Sequence, residues 1–186
     1  KLGAFGAVAF DIRAACAGFS VGLDLAKDMV ESGAKERVLV IGADIASRTK
    51  IDWRDRTTPA IFADGAGAAV VGPSPHPERG FLSARLGSDG RGKDVVVMKG
   101  GGSLSPFTAE TLEHGEQFVQ MDGKGVWEWA TRELPAVIRA ALAAAGLRTS
   151  DVALLVTHQA SLRLLQAVMA ELGLGADRVH TTIERY

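Results

Sequence analysis

Cysteine is almost absent from this sequence, since Cys16 is the only one in 186 residues. A single cysteine excludes an internal disulfide framework and is typical of a reducing compartment, so we expect a cytoplasmic protein. The sequence also lacks a starting Met, a signal peptide and an apolar run of bilayer-spanning length. We therefore expect no membrane partner, and from the unpunctuated ends we expect a fragment.

An excess of one charge is lacking too. The 21 Lys and Arg residues nearly balance the 22 Asp and Glu residues, the formal net charge is −1, and like charges do not cluster in runs. This balance gives no support to a nucleic-acid partner. No set of His, Cys, Asp or Glu has metal-ligand spacing, so we expect neither a metal nor a redox cofactor. The 47% of hydrophobic residues suffice for the core of one average domain.

Cys16 lies at a predicted turn between a strand and a helix. The alternating pattern of Val8–Ile12 predicts a buried strand, and a helical pattern follows from about Ala17 to Ser32. The N–H groups at the start of a helix stabilise an anion such as a thiolate and lower the pKa of a cysteine there. Cys16 is therefore a candidate nucleophile. The alternative is a small buried hydrophobe, and local features leave both interpretations open.

The rest of the chain alternates strand and helix patterns. The apolar run 37–43 is typical of a strand covered on both faces in a parallel or mixed sheet. The glycine-rich stretch 62–72 lacks the third glycine of a dinucleotide fingerprint and leads into a strand, so we reject that motif. Proline-rich residues 73–80 are predicted to link two similar halves, 1–72 and 81–186. Further predicted elements are strands Phe81–Leu86, Val95–Met98, Val152–Val156 and Val179–Ile183, and helices within Val119–Ala145 and over Leu162–Leu172.

His158 follows the predicted strand Val152–Val156. Ligands of open α/β sheets bind at the carboxyl ends of strands, where Cys16 and His158 are both predicted to lie. We therefore expect a Cys–His pair that is close in space and distant in sequence. A satisfied core histidine is the alternative. The basic residues between Arg48 and Arg56 form either a solvated loop or a contact to an anionic ligand.

Three stretches, in this order, resemble the thiolase-fold condensing enzymes, and most closely the β-ketoacyl-acyl-carrier-protein synthase III family. They are Ala9–Phe19 (AFDIRAACAGF), Phe62–Gly72 (FADGAGAAVVG) and His158–Arg163 (HQASLR). They are similar to the segment around the family's nucleophilic cysteine, its glycine-rich strand and its catalytic-histidine motif. The resemblance implies an α/β, thiolase-like αβαβα layered fold of two similar halves, incomplete in this chain, and a homodimer.

The resemblance also implies site residues. Cys16 is the acyl-accepting nucleophile and His158 the catalytic histidine, and the third catalytic residue, an asparagine, is expected beyond Tyr186. Ser161 stands where the family usually has Asn, and Ser retains the ability to cap the following helix. Substrate or CoA contacts are implied for Arg56, Ser161 and Met121, and carrier-protein docking for Arg163.

The implied activity is the decarboxylative Claisen condensation of an acyl-CoA primer with malonyl-acyl-carrier protein. The product is a β-ketoacyl-carrier protein, which initiates fatty-acid or polyketide-like synthesis without a cofactor. Three alternatives remain open. They are a starter-unit or quinolone/polyketide-type condensing enzyme of the same superfamily, a Cys–His thioester hydrolase, and an inactive fragment.

Overall fold

Five helices and six strands are present in residues 2–76 and 78–184, the part of the chain that the computed structural model describes. The helices are α1 (Gly18–Glu31), α2 (Ala46–Thr49), α3 (Ala109–Glu113), α4 (Gly123–Ala144) and α5 (Leu162–Leu172). The strands are β1 (Val38–Ile45), β2 (Asp64–Val71), β3 (Val96–Val97), β4 (Gln120–Met121), β5 (Leu155–Val156) and β6 (Val179–His180).

The strands form two-stranded sheets, β1 with β2, β3 with β4 and β5 with β6. The β3–β4 pair is antiparallel, with Val96 opposite Met121. The β5–β6 pair is parallel, with Leu155 opposite Val179 and Val156 opposite His180. A parallel pair requires a crossover connection, and α5 provides it.

The chain divides into two compact units. The first unit contains the residues up to Gly42 together with Ala66–Phe81, and the second contains Ala43–Gly65 together with the residues from Leu82 onward. The division into halves at 73–80 stays a prediction, and Pro77 of that predicted linker lies outside the described residues. Arg185 and Tyr186, which precede the expected asparagine, also lie outside them.

In the first unit, α1 packs against β1. A Cβ atom added at Gly22 would lie 2.9 Å from Val40 Cγ1, so the absence of a side chain at Gly22 permits this approach. The predicted helix of residues 17–32 is confirmed. The prediction that the strand is covered on both faces is wrong, because Val40 is buried whereas Leu39 and Ile41 are 47% and 60% exposed. Among the described residues, one face of β1 is covered and the other, with Leu39 and Ile41, is exposed.

Two predicted strands are not formed. Residues Val8–Ile12 and Phe81–Leu86 are irregular, and Val8 and Phe10 are exposed rather than buried. A strand needs a ladder partner for its backbone groups, and none of the described strands pairs with either segment. The second segment is attached differently, since the Ser83 hydroxyl donates a hydrogen bond of 2.7 Å to the carbonyl of Ala141 in α4.

The core of the second unit lies between α4 and α5. Buried residues Ala130, Leu164, Val168, Leu172 and Leu174 form one cluster, and Trp127 packs against it. α5 has the predicted bounds, because Ser161 caps its first turn and Gly173 ends it with a left-handed φ of 68°. α4 begins at Gly123, after the capping residue Asp122, and continues through the buried Pro135.

Candidate active site

Cys16 lies in a tight 3-10 turn, Ala15–Ala17, that leads directly into α1. Its side chain is exposed within this chain and is not part of its core. Ala15, immediately before it, has φ 45°. A non-glycine residue in this left-handed region costs about 1–2 kcal/mol. The structure therefore presents the thiol on a strained turn at the amino end of a helix, which is the predicted placement except that no strand precedes it.

His158 lies in the turn between β5 and α5, two residues after Val156. It is exposed, which contradicts the alternative of a buried core histidine. The backbone N–H of Leu164 donates to Ser161 Oγ at 3.4 Å, so Ser161 fixes the start of the helix that follows this turn. The predicted position of His158 at the carboxyl end of a strand is confirmed by the bounds of β5.

The Gln159 side chain, beside His158, makes three hydrogen bonds. Its Nε2 donates to the carbonyls of Thr157 and His180, each at 3.1 Å. Its Oε1 accepts from the backbone N–H of Thr182 at 3.0 Å. The turn that carries His158 is thereby attached to the end of β6. The motif HQASLR contains this glutamine, but the sequence did not indicate its role. Two of its hydrogen-bond partners, His180 and Thr182, lie more than 20 positions away, and such distant contacts leave no local pattern.

Cys16 belongs to the first compact unit, whereas Arg56, Met121, His158, Ser161 and Arg163 belong to the second. The close approach of Cys16 and His158 therefore remains a prediction.

The loop around Arg56 is organised by one carboxylate. Asp55 accepts hydrogen bonds from both the backbone N–H and the hydroxyl of Thr57 and of Thr58, at distances between 2.7 and 3.2 Å. The hydrogen bonds from Thr57, followed by those from Thr58, hold the pKa of the Asp55 carboxyl well below its usual range. Arg56 is exposed and has no hydrogen bond or ion pair within the described residues, so its guanidinium is available to an anion.

Met121 is half-buried in β4. Its segment is hydrogen-bonded to the loop that carries the basic residues between Arg48 and Arg56. The N–H of Val119 donates to the carbonyl of Lys50 at 2.8 Å, which brings residues 50 and 119 together. Two predicted contact residues, Arg56 and Met121, thus lie on segments of the second unit that are hydrogen-bonded to each other. Their contact with a substrate is not tested by this geometry and stays a prediction.

Arg163 lies exposed in the first turn of α5 and stacks on an aromatic ring of α4. Its Cζ atom is 5.2 Å from the centroid of the Trp127 ring. Cation–π contacts at exposed sites stabilise by about 0.5–1 kcal/mol and favour one orientation of the guanidinium. Sequence patterns missed Trp127, because a large aromatic residue on an apolar helical stripe is usually only a core residue.

Among residues 2–76 and 78–184, no three or more His, Cys, Asp or Glu side chains are grouped so that they could hold a metal ion. Over the same residues, no helix combines the length and the apolar character needed to cross a bilayer.

Family models match both parts of the chain. Residues 10–90 match the model described as 3-oxoacyl-(acyl-carrier-protein) synthase III, and residues 142–186 match the model of the C-terminal part of the same synthase. The first match includes Cys16 and the second includes His158. A β-ketoacyl-(acyl-carrier-protein) synthase III from Roseiflexus castenholzii is 46% identical over 185 residues, which is 100% of this chain and 56% of that protein.

Solved structures agree with these matches. A 3-oxoacyl-(acyl-carrier-protein) synthase III from Aquifex aeolicus has a TM-score of 0.85 at 33% identity, covering 98% of this chain and 54% of that one. A priming β-ketosynthase of the R1128 polyketide biosynthetic pathway has a TM-score of 0.77 at 36% identity, covering 92% and 50%. The predicted α/β, thiolase-like fold is confirmed. The chain spans about half the length of the relatives it matches.

Proposed function

The chain belongs to the 3-oxoacyl-(acyl-carrier-protein) synthase III family, and from that premise we propose that the natural protein is a condensing acyltransferase. It transfers an acyl group from acyl-CoA to Cys16 and condenses that group with malonyl-acyl-carrier protein. The observation that carries this proposal is that the two family matches each cover one of the turns that present Cys16 and His158.

In the first half-reaction the Cys16 thiolate attacks the carbonyl carbon of the acyl-CoA thioester. Backbone N–H groups, including that of Cys16, stabilise the oxyanion that forms. The carbon–sulfur bond to CoA breaks, CoA leaves as a thiolate, and the acyl group remains on Cys16. Arg56 binds the anionic end of CoA, and Met121 and Ser161 contact the remainder of the substrate.

In the second half-reaction malonyl-carrier protein loses its carboxylate as CO₂, and the electron pair of the broken bond forms an enolate. Neutral His158 donates a hydrogen bond to the enolate oxygen. The enolate carbon then attacks the acyl group on Cys16, and the Cys16 thiolate leaves. The product is a β-ketoacyl-carrier protein, and no metal or redox cofactor takes part. Arg163, held over Trp127, contacts the carrier protein.

The protein acts in the cytoplasm as a homodimer in this proposal. The homodimer is what the family resemblance implies, and the use of a single cysteine is typical of a reducing compartment. The two halves, 1–72 and 81–186, are the repeated parts of the layered fold, and 73–80 is their linker.

The nucleophile is tested by incubating the natural full-length protein with radiolabelled acyl-CoA. We expect one covalent label per protomer, located on Cys16, and no label on Cys16→Ala. Equal labelling of the wild type and of Cys16→Ala would falsify the assignment. Release of free acid without any condensation product would instead identify a thioester hydrolase.

The role of His158 is tested in the same assay. His158→Ala removes the donor to the enolate oxygen but leaves the thiol in place, so we expect labelling to persist while condensation falls by about 100-fold or more. The exposed His114→Ala serves as the matched control. Loss of labelling and condensation in equal measure would contradict a separate role for His158.

A second candidate, a polyketide starter-unit synthase, is favoured by the likeness to the R1128 priming β-ketosynthase. Both candidates perform the same condensation and differ in the acyl primer. Comparing kcat/KM for acetyl-CoA with that for longer and branched acyl-CoA primers separates them, because a fatty-acid-initiating enzyme and a polyketide starter enzyme differ in primer preference.

A further inference from the structure

The Gln159 amide joins two segments that the β5–β6 ladder leaves unattached. That ladder contains two residue pairs and ends at Val156 and His180. Beyond it, Gln159 Nε2 donates to the His180 carbonyl at 3.1 Å, and Gln159 Oε1 accepts from the N–H of Thr182 at 3.0 Å. The half-buried side chain thus continues the attachment of the two strands past the end of the ladder.

The Gln159 amide also forms a hydrogen bond inside the turn that carries His158. Nε2 also donates to the carbonyl of Thr157, which lies on the other side of His158 in the sequence. The backbone is therefore held both at Thr157 and at Gln159, the residues that flank His158. At its far end the turn is fixed again, because Ser161 caps α5.

An amide is the side chain that fits these three partners. They are two carbonyl oxygens, which need donors, and one N–H, which needs an acceptor, and a glutamine supplies two donors on nitrogen and an acceptor on oxygen. A carboxylate of the same length supplies only acceptors. Its oxygen would face the carbonyls of Thr157 and His180 with both hydrogen bonds lost.

We propose that Gln159 is a positioning residue that sets the orientation of His158 by fixing its turn to the end of β6. This role rests on the proposed function, in which His158 acts in condensation and not in the transfer of the acyl group to Cys16. A misplacement of about 1 Å can cost about 100-fold in rate. Loss of the Gln159 hydrogen bonds therefore slows condensation selectively.

The test compares Gln159→Glu with Gln166→Glu in the natural full-length protein. Gln166 is exposed on α5 and undergoes the same exchange of amide for carboxylate, so it controls for the added charge. Two rates are measured, namely the acylation of Cys16 by radiolabelled acyl-CoA in a single turnover and the steady-state condensation with malonyl-carrier protein.

For Gln159→Glu we expect kcat of condensation to fall by about 10- to 100-fold. The KM for malonyl-carrier protein and the acylation rate stay within about threefold of the wild type, and Gln166→Glu matches the wild type. A merely structural role would reduce both rates together. If Gln159→Glu does not fold, Gln159→Met, which has the same reach and no charge, takes its place under the same criteria.

Equal loss of both rates, no loss of condensation, or failure of both variants to fold overturns the positioning role. A wild-type protein that does not acylate Cys16 refutes the proposed function itself. The two failures are distinguishable, since the first leaves wild-type acylation intact.

Discussion

A single carboxylate, that of Asp55, holds the turn that presents Arg56. It accepts hydrogen bonds from both groups of Thr57 and both groups of Thr58, and Thr58 is only 1% exposed. Because the flanking residues are fixed, the exposed Arg56 extends from a rigid turn rather than from a free loop. A preorganised cation loses less entropy when it binds an anionic ligand.

Replacing Asp55 with Asn is expected to lower the thermal unfolding temperature at pH 7, because an amide oxygen cannot replace all the hydrogen bonds of the carboxylate. The pKa of Asp55 is depressed in the folded state. Its contribution is therefore fully present above the unfolded pKa, which is about 3.9, and is lost as the pH falls from there toward the folded pKa. The gap between the unfolding temperatures of the two proteins, measured from pH 7 to pH 2, should narrow as the pH falls below about 4.

Asp94→Asn is the control for this prediction, since Asp94 is an exposed aspartate that pairs with its neighbour Lys93. It should leave the unfolding temperature nearly unchanged at pH 7. A gap between Asp55→Asn and the wild type that stays constant down to pH 2 would argue against the carboxylate as the source of the stability.

Individual residues differed in how far the sequence predicted them. The positions of Cys16 and His158 follow from local patterns, a helix start in one case and the end of an apolar strand in the other, whereas the exposure of their side chains did not. Gln159 and Trp127 could not be found this way, because the partners of Gln159 lie at positions 180 and 182 and Arg163 lies 36 positions from Trp127. Contacts between distant residues have no periodic signature in one sequence.

Among the elements, α1 depends on a small residue at its contact with β1. Gly22 and Ala26 are its buried positions, and Gly22 faces Val40. A β-branched valine has little freedom at χ1 and cannot turn away from an added methyl group. Glycine lowers the helix propensity at this position, but it allows α1 to approach β1 closely.

For Gly22→Ala we expect a net destabilisation of up to about 2 kcal/mol, because overpacking costs about 1–3 kcal/mol and the gain in helix propensity is about 1 kcal/mol. The measurement is the free energy of unfolding from urea titration. Ser20→Ala, at an exposed position of the same helix, gains propensity without the clash and should be neutral or stabilising. A stabilised Gly22→Ala protein would mean that β1 yields to the methyl group.

The cap of α5 gives a second prediction at this scale. Ser161→Ala removes the acceptor for the Leu164 N–H and should cost about 1 kcal/mol of unfolding free energy. Ser161→Asn retains a capping oxygen and should remain within about 0.5 kcal/mol of the wild type. Equal losses in both variants, again by urea titration, would show that the hydroxyl group is needed for something other than capping.

Helices were predicted better than strands for a physical reason. The signals for α1 and α5 are an apolar stripe and a terminal glycine, with the capping Ser161 in addition for α5, and all lie within or next to the element itself. A strand exists only with a ladder partner, and Val8–Ile12 has none among the described strands. The alternating pattern was present without the partner, so the predicted strand was wrong.

At the scale of the whole chain, many large apolar side chains are exposed. Phe5 and Leu104 are 99% and 100% exposed, and Leu39 and Ile41 form an uncovered face of β1. Surfaces of this kind drive association in water. The layered thiolase-like fold, which the family resemblance implied, covers such faces with further layers. Composition and periodicity alone indicated only an α/β chain.

The 186-residue chain by itself is therefore expected to self-associate. Size-exclusion chromatography with light scattering should give a mass above that of one chain, whereas Leu39→Lys with Ile41→Lys should shift it downward. Glu31→Lys, on the exposed end of α1, controls for added positive charge. A monodisperse single chain at micromolar concentration would contradict the expectation.

The strand–helix–strand segment from β5 to β6 is expected to be among the last parts of the second unit to unfold. Its helix buries five side chains, those of Leu164, Leu165, Val168, Met169 and Leu172. Amide hydrogens in such a segment exchange with deuterium only when it unfolds as a block. We therefore expect these amide hydrogens to exchange slowly, and the loop that carries His158, which is hydrogen-bonded at both ends to this segment, to keep its conformation when less buried segments unfold.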